Sequence, residues 1–230
     1  MREQFNQQLE EIQAEVVSIL EDVEAATRRG VRALLEGDSQ LAQELVAGDD
    51  DFDRRTLAVE DRVLETIATQ FPVARDLRLL HSMAFIAMYE ERMADLAANI
   101  AKTAIRTTDK EGTVRVPETL QALIEEQGQL VGRVLATARE ALATNNLDLA
   151  LQLPIMDAPI DALYKQFFRE LGRLTDEEEI EWASRMVMSS RYLERISDNA
   201  VDIGERIVFL ITGERDAYDE IELSEQGERA

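Results

Sequence analysis

The chain has 230 residues, 45% of them hydrophobic, which is enough for a sizeable core in one large or two small domains. Its 47 acids against 25 lysines and arginines give a net charge of −22, which opposes a phosphate backbone and excludes general nucleic-acid binding. With no cysteine there is neither a disulfide framework nor a thiolate metal site.

Lys102, Lys110 and Lys165 are the only lysines. Acid excess with so little lysine predicts a salt-adapted source, where screening relieves the self-repulsion of an acidic surface. The N-terminal MREQFNQQLEEIQAEV lacks the apolar core of a secretory signal. No apolar run approaches the roughly 18 residues of a membrane span. A soluble cytoplasmic protein without membrane insertion is the expectation.

Phe5, Leu9, Ile12, Val16, Ile19, Leu20 and Val23 recur at helical spacing and predict a first helix to about Leu35. Gly37-Asp38-Ser39 reads as a C-cap followed by an N-cap. A second helix is expected from Ser39 to Gln70, loosened at Gly48 and stopped by Phe71-Pro72. A third runs from about Val73 to Thr107. The polar stretch Thr108–Pro117 (TDKEGTVRVP) is the best internal boundary. Leu120, Leu123, Ile124, Val131, Val134, Leu135 and Leu142 mark a fourth helix, and Asn145-Asn146 a turn. A fifth helix follows to about Leu174. Thr175-Asp-Glu-Glu caps a sixth, which ends near Gly213. The expected fold is all-α, six helices in two tandem, pseudo-symmetric three-helix bundles. The first repeat takes residues 1–108, a linker 109–117, the second repeat 118–213 and an acidic tail 214–230.

The two halves repeat in sequence. Met88–Lys102 (MYEERMADLAANIAK) and Arg191–Glu205 (RYLERISDNAVDIGE) share six identities in fifteen positions: Tyr89/Tyr192, Glu91/Glu194, Arg92/Arg195, Asp95/Asp198, Ala97/Ala200 and Ile100/Ile203. Upstream, Asp49–Asp53 and Asp157–Asp161 repeat an Asp-x-x-x-Asp.

Acids four apart share a helix face, so Glu91 and Asp95 can converge on one cation. If Asp49 and Asp53 face them, four oxygen donors meet, and their mutual repulsion demands protonation or a neutralising cation. Such hard ligands suit magnesium, manganese, calcium or ferric iron, and zinc only marginally. A single acid pair in so acidic a chain is ordinarily a solvated face. Recurrence in a matched frame is what singles these out. The row extends one turn further through Asn99 and Asp202. Arg92 and Arg195 either steady the acids or pair at the surface. His81, Tyr89 and Tyr192 read as packing residues. Phe85, Phe167, Phe168, Trp182, Met83, Met88, Met186 and Met188 read as core.

The segments EERMADLAANIAK and LERISDNAVDIGERIVFLITGE resemble the signature of the PhoU family, as does QFPVARDLRLL at 70–80. That resemblance spans about residues 5–213. It implies a regulator rather than an enzyme, one that represses phosphate uptake and phosphate-starvation signalling. Implied partners are the ATPase subunit of the phosphate-specific ABC transporter, a sensor histidine kinase and a second copy of the chain. Implied cofactors are iron, manganese, magnesium or zinc ions, in multinuclear clusters. Carried onto this chain, the ligands are Asp49, Asp53, Glu91, Asp95, Asp157, Asp161, Glu194 and Asp198, with Asn99, Asp202 and Glu205 behind them.

Two departures qualify the carry-over. Pro154 and Pro159 straddle Asp157, and a helix starting near Pro159 would make Asp157 an N-cap out of register with Asp161. The first cluster, Asp49–Asp53 with Glu91–Asp95, is then the better supported. Lys102 also stands where the second half has Glu205. Two other readings compete with the regulator: a carboxylate-metal phosphate-ester hydrolase, for which no general base is evident, and a metal-free helical scaffold.

Overall fold

The computed structural model describes residues 2–108 and 117–214. The expected linker, apart from Pro117, and the expected tail, apart from Glu214, lie outside the described residues.

Among these, regular structure is helical throughout: α1 (Arg2–Glu36), α2 (Ser39–Ala47), α3 (Asp49–Gln70), α4 (Ala74–Thr108), α5 (Glu118–Thr144), α6 (Leu147–Leu171) and α7 (Glu177–Thr212). The expected second helix is divided at Gly48. Its N–H donates back to the carbonyls of Glu44 and Leu45 at 3.1 and 3.2 Å, closing α2. α3 opens at once with Asp49, Asp50 and Asp51, acids that complement the positive end of the helix dipole. Counted as one interrupted helix, α2 and α3 complete the six-helix plan.

Local chemistry sets the other ends. Gly37 takes φ 66°, and the Asp38 carboxylate accepts from Leu41 N–H at 2.9 Å to cap α2. Phe71 (φ 50°) stops α3 before Pro72. Asn145 (φ 49°) stops α5, and the Asn146 side chain caps α6. Asp176, one residue beyond Thr175, caps α7 by accepting from Glu178 and Glu179 N–H. α6 stops at Leu171, three residues short of expectation.

α1, α2/α3 and α4 form one bundle, and α5, α6 and α7 the other. The bundles meet along α4 against α7 and α1 against α5, leaving α3 and α6 outermost. The α1 stripe from Leu9 to Val23 is buried as its spacing requires. Matched positions of the two motif helices are buried together: Met83 with Met186, Ala97 with Ala200, Ile100 with Ile203. The core is continuous across the seam. Inside the second bundle, Gln127 of α5 donates to Ser190 O of α7 at 3.1 Å and accepts from Ser190 Oγ at 2.7 Å, satisfying polar groups that burial would otherwise penalise. Phe167, Trp182, Met83 and Met186 lie in the core, whereas Phe168 and Met188 are each 47% exposed. Phe168 packs edge-on against Tyr164 at the surface, centroids 5.1 Å apart. No helix among the described residues is long and apolar enough to cross a membrane.

Candidate metal centre

Each outer helix presents its aspartates to the acids of the neighbouring motif helix. In the second bundle α6 runs unbroken through Pro154 and Pro159. Proline removes a backbone donor and crowds the preceding turn, but Ala150, Leu153, Ile160, Leu163 and Phe167 bury one stripe between α5 and α7 and hold the helix together. Asp157 is therefore not an N-cap. It lies one turn before Asp161 on a continuous helix, and the expected failure of their register does not occur.

The consequence is a convergence of donors. Asp157, Asp161 and Asp198 each bring a carboxylate oxygen to within 4.8 Å of the others. Among the described residues this is the one grouping of three or more acids or histidines that close. Beside it Glu194 is only 7% exposed. Arg191, one turn earlier on α7, donates to Glu194 Oε1, and Oε2 makes no hydrogen bond. Asp157 Oδ1 is also buried without a hydrogen bond, as is the hydroxyl of fully buried Ser197 next to it.

Burial and like charge act together here. Desolvation, then Asp198, Asp161 and Asp157, push Glu194 up to about 7 against the pull of Arg191. Desolvation first, then Asp161 and Asp198, raise Asp157 to about 6; Ser197 pulls the other way, though no hydrogen bond of ordinary geometry closes. Asp198 is raised by burial and by Asp161. Asp202 is raised by burial and Asp198, while Arg206 and, from the other repeat, Arg92 oppose the shift.

The first bundle carries the same acids in looser array. Asp49 is raised by burial, then by Asp95 and Asp53, and Lys102 opposes this. Glu91 is raised by burial, then by Asp95, Asp53 and Asp49, with Arg92 opposing. All four acids thus act on one another, but no three of their oxygens close as they do in the second bundle. Asp95 and its counterpart Asp198 are both exposed, and the first bundle differs in the exposure of Asp53 where Asp161 is half-buried. Lys102 Nζ sits 3.9 Å from Asp49 Oδ2. By this geometry the second cluster is the tighter of the two, whereas the proline argument from sequence favours the first.

Asn99 is half-buried on the same row as Glu91 and Asp95, whereas Glu205 is exposed. His81 stacks with Phe85, centroids 4.7 Å apart, as a packing residue. Sequence reasoning missed Arg191, Ser197 and Glu90. Arg191 had a signal, three residues before Glu194 on a predicted helix. The burial of Ser197 and Glu90 follows from packing alone.

Comparison with known proteins places the fold. The family model described as PhoU domain matches twice, over residues 16–104 and 124–207. The chain belongs to the PhoU family. It is 32% identical over 215 residues to a phosphate-specific transport system accessory protein PhoU homolog of Pseudomonas putida, covering 92% of this chain and 82% of that one. A PhoU homolog of the same description from Caulobacter vibrioides is also 32% identical, covering 91% and 90%. Among solved structures, PhoU from Pseudomonas aeruginosa superposes with a TM-score of 0.85 at 29% identity, over 91% of this chain and all of that one. The phosphate transport system regulatory protein PhoU of Streptococcus pneumoniae gives 0.82 at 26%, covering 91% and 98%. The two PhoU domain matches contain both motif helices, α4 and α7, up to their last turns. These relatives are named as accessory and regulatory proteins, not as enzymes.

Proposed function

We propose that this PhoU chain is the regulatory accessory of a phosphate-specific transport system, working in the cytoplasm against the transporter's ATPase subunit to repress phosphate uptake and starvation signalling. The observation that carries this reading is similarity along nine-tenths of the chain to relatives named as accessory proteins of that system. A sensor histidine kinase and a second copy of the chain are further partners consistent with it. The test is affinity capture from cells of the source organism grown in high phosphate. Recovery of the ATPase subunit, with faster phosphate uptake on deletion of this gene, is the expected result. Uptake unchanged by deletion and capture without the ATPase would sink the reading.

Metal binding is the second part of the proposal. The donors suit it: aspartate oxygens with no thiolate or histidine select a hard cation such as iron(III), manganese or magnesium over copper. Asp157, Asp161 and Asp198 would hold it, with Glu194 beside them. A cation there would neutralise carboxylates that burial otherwise leaves near protonation. Protein reloaded with iron, manganese, magnesium or zinc and then desalted should retain metal stoichiometrically. Asp198→Asn should abolish that retention.

A further inference from the structure

Three matched positions along the motif helices differ in one chemical sense. Where α7 has Ser197, Asp202 and Glu205, α4 has Ala94, Asn99 and Lys102. Each change removes a hydroxyl or a negative charge from the first repeat, and the last installs a positive one. A fourth position runs the other way, since α7 has Arg191, paired with Glu194, where α4 has Met88. The first repeat is still the less acidic of the two along this row. Lys102 is placed to act: its ammonium reaches from α4 to Asp49, the first residue of α3, at 3.9 Å, and both side chains are partly buried. At the second cluster the nearest lysine behaves differently. Lys165 lies on the same helix as its partner Asp161, 3.7 Å away, with its side chain 73% exposed, so it forms a solvated pair that contributes little. The second cluster also shows what the first lacks: three closing carboxylates, plus the fully buried Ser197 hydroxyl and Glu194 Oε2, neither with a hydrogen-bond partner.

We infer that the two repeats have diverged in their demand for cation. The second cluster is the resident metal site, and at the first Lys102 supplies part of the positive charge from within the chain. This rests on metal binding as the role of the clusters and adds a division between them. A tethered ammonium lowers the local negative potential and competes with an incoming ion for Asp49. The first cluster then takes a divalent ion weakly.

Manganese(II) titration by calorimetry, with elemental analysis after desalting, separates the cases. Asp198→Asn and Asp157→Asn should each weaken the tight manganese class by about tenfold or more. Asp95→Asn should change that class by less than about twofold, since it lies in the other bundle. Lys102→Gln should strengthen a weaker class by about tenfold, and Lys165→Gln should leave both within about twofold. Equal loss of tight manganese from the Asp95 and Asp198 variants overturns the division while leaving metal binding standing. A weak class unmoved by Lys102→Gln overturns the role of Lys102. Failure of both the wild type and Lys102→Gln to retain manganese overturns metal binding and this inference with it.

Discussion

Glu90 stands where the second repeat has Leu193, and both side chains are fully buried. Neither oxygen of Glu90 makes a hydrogen bond. Burial drives its carboxyl well above the ordinary range; Arg55 pulls it down and Glu15 pushes it up. Arg55 does not depend on it, because it already pairs with Glu15 at 2.9 Å and Asp22 at 2.5 Å and donates to Ser18 at 3.1 Å. Glu90→Leu should therefore raise the unfolding free energy at pH 7 by about 1–3 kcal/mol, the usual penalty of an unsatisfied buried acceptor. Urea denaturation checks it. The folded pKa is raised, so whatever the neutral acid contributes is complete below the ordinary 4.5 and lost as pH rises. The gain on substitution should accordingly be larger at pH 8 than at pH 5. Glu194 and Asp157 follow the same sign within a defined window. Their neutral forms contribute fully below 4.5 and 3.8, and that contribution is lost as pH rises through about 7 and about 6. Metal-free protein should melt lower at pH 8 than at pH 5, and Glu194→Gln with Asp157→Asn should flatten this part of the slope. Added manganese should reverse it, since a bound cation takes the place of the protons. A pH profile identical in the double variant would refute the assignment.

Between elements, the approach of α1 to α5 is governed by Gly128. A Cβ there would lie 2.9 and 3.1 Å from the two methyl carbons of Val31, closer than side chains pack. Gly128→Ala gains helix propensity, but the overpacking should outweigh it, with a net loss of about 1–2 kcal/mol. Val31→Ala in the same chain should recover most of that loss by clearing the methyls. Thermal melts of the two single variants and the double variant form the cycle that decides it. Helix ends were legible in the sequence because their causes are local: Asp38, Asn146 and Asp176 cap by their own side chains, and Phe71 precedes a proline. The six-helix duplication was legible too, because repetition shows without any packing. The relative standing of the two clusters was not. Proline's local penalty argued against α6 around Asp157, and the buried stripe from Ala150 to Phe167, supplied by α5 and α7, overrode it. Phe168 and Met188 erred in the opposite direction, since apolar spacing does not say how wide a face its neighbours cover.

At the scale of the whole molecule, the formal charge of −22 is the dominant electrostatic quantity. The ion pairs between helices do not offset it. Arg62–Glu11 at 3.2 Å and Arg29–Glu44 at 3.2 Å are largely exposed, and such pairs contribute little. The partly buried Arg139–Glu24 and Arg55–Glu15 contacts each use up an arginine without changing the acid excess. Self-repulsion among the remaining acids acts over a Debye length, about 10 Å at 0.1 M salt and about 3 Å at 1 M. It favours expansion, and screening should relieve it. The melting temperature should thus rise by at least about 5 °C between 0.1 and 2 M potassium chloride, corresponding to about 2 kcal/mol for a chain this size. Two controls separate repulsion from other salt effects. Potassium sulfate at matched ionic strength adds preferential exclusion on top of screening, so it should stabilise further still. Reversing several exposed acids to lysine on the outer face of α3, away from Asp49 and Asp53, should raise the low-salt melting temperature and shrink the chloride response together. A melting temperature that is flat in chloride would remove both the repulsion argument and the expectation of a salt-adapted source. A response that persists unchanged in the charge-reversed chain would keep the salt effect but assign it to hydration rather than to charge.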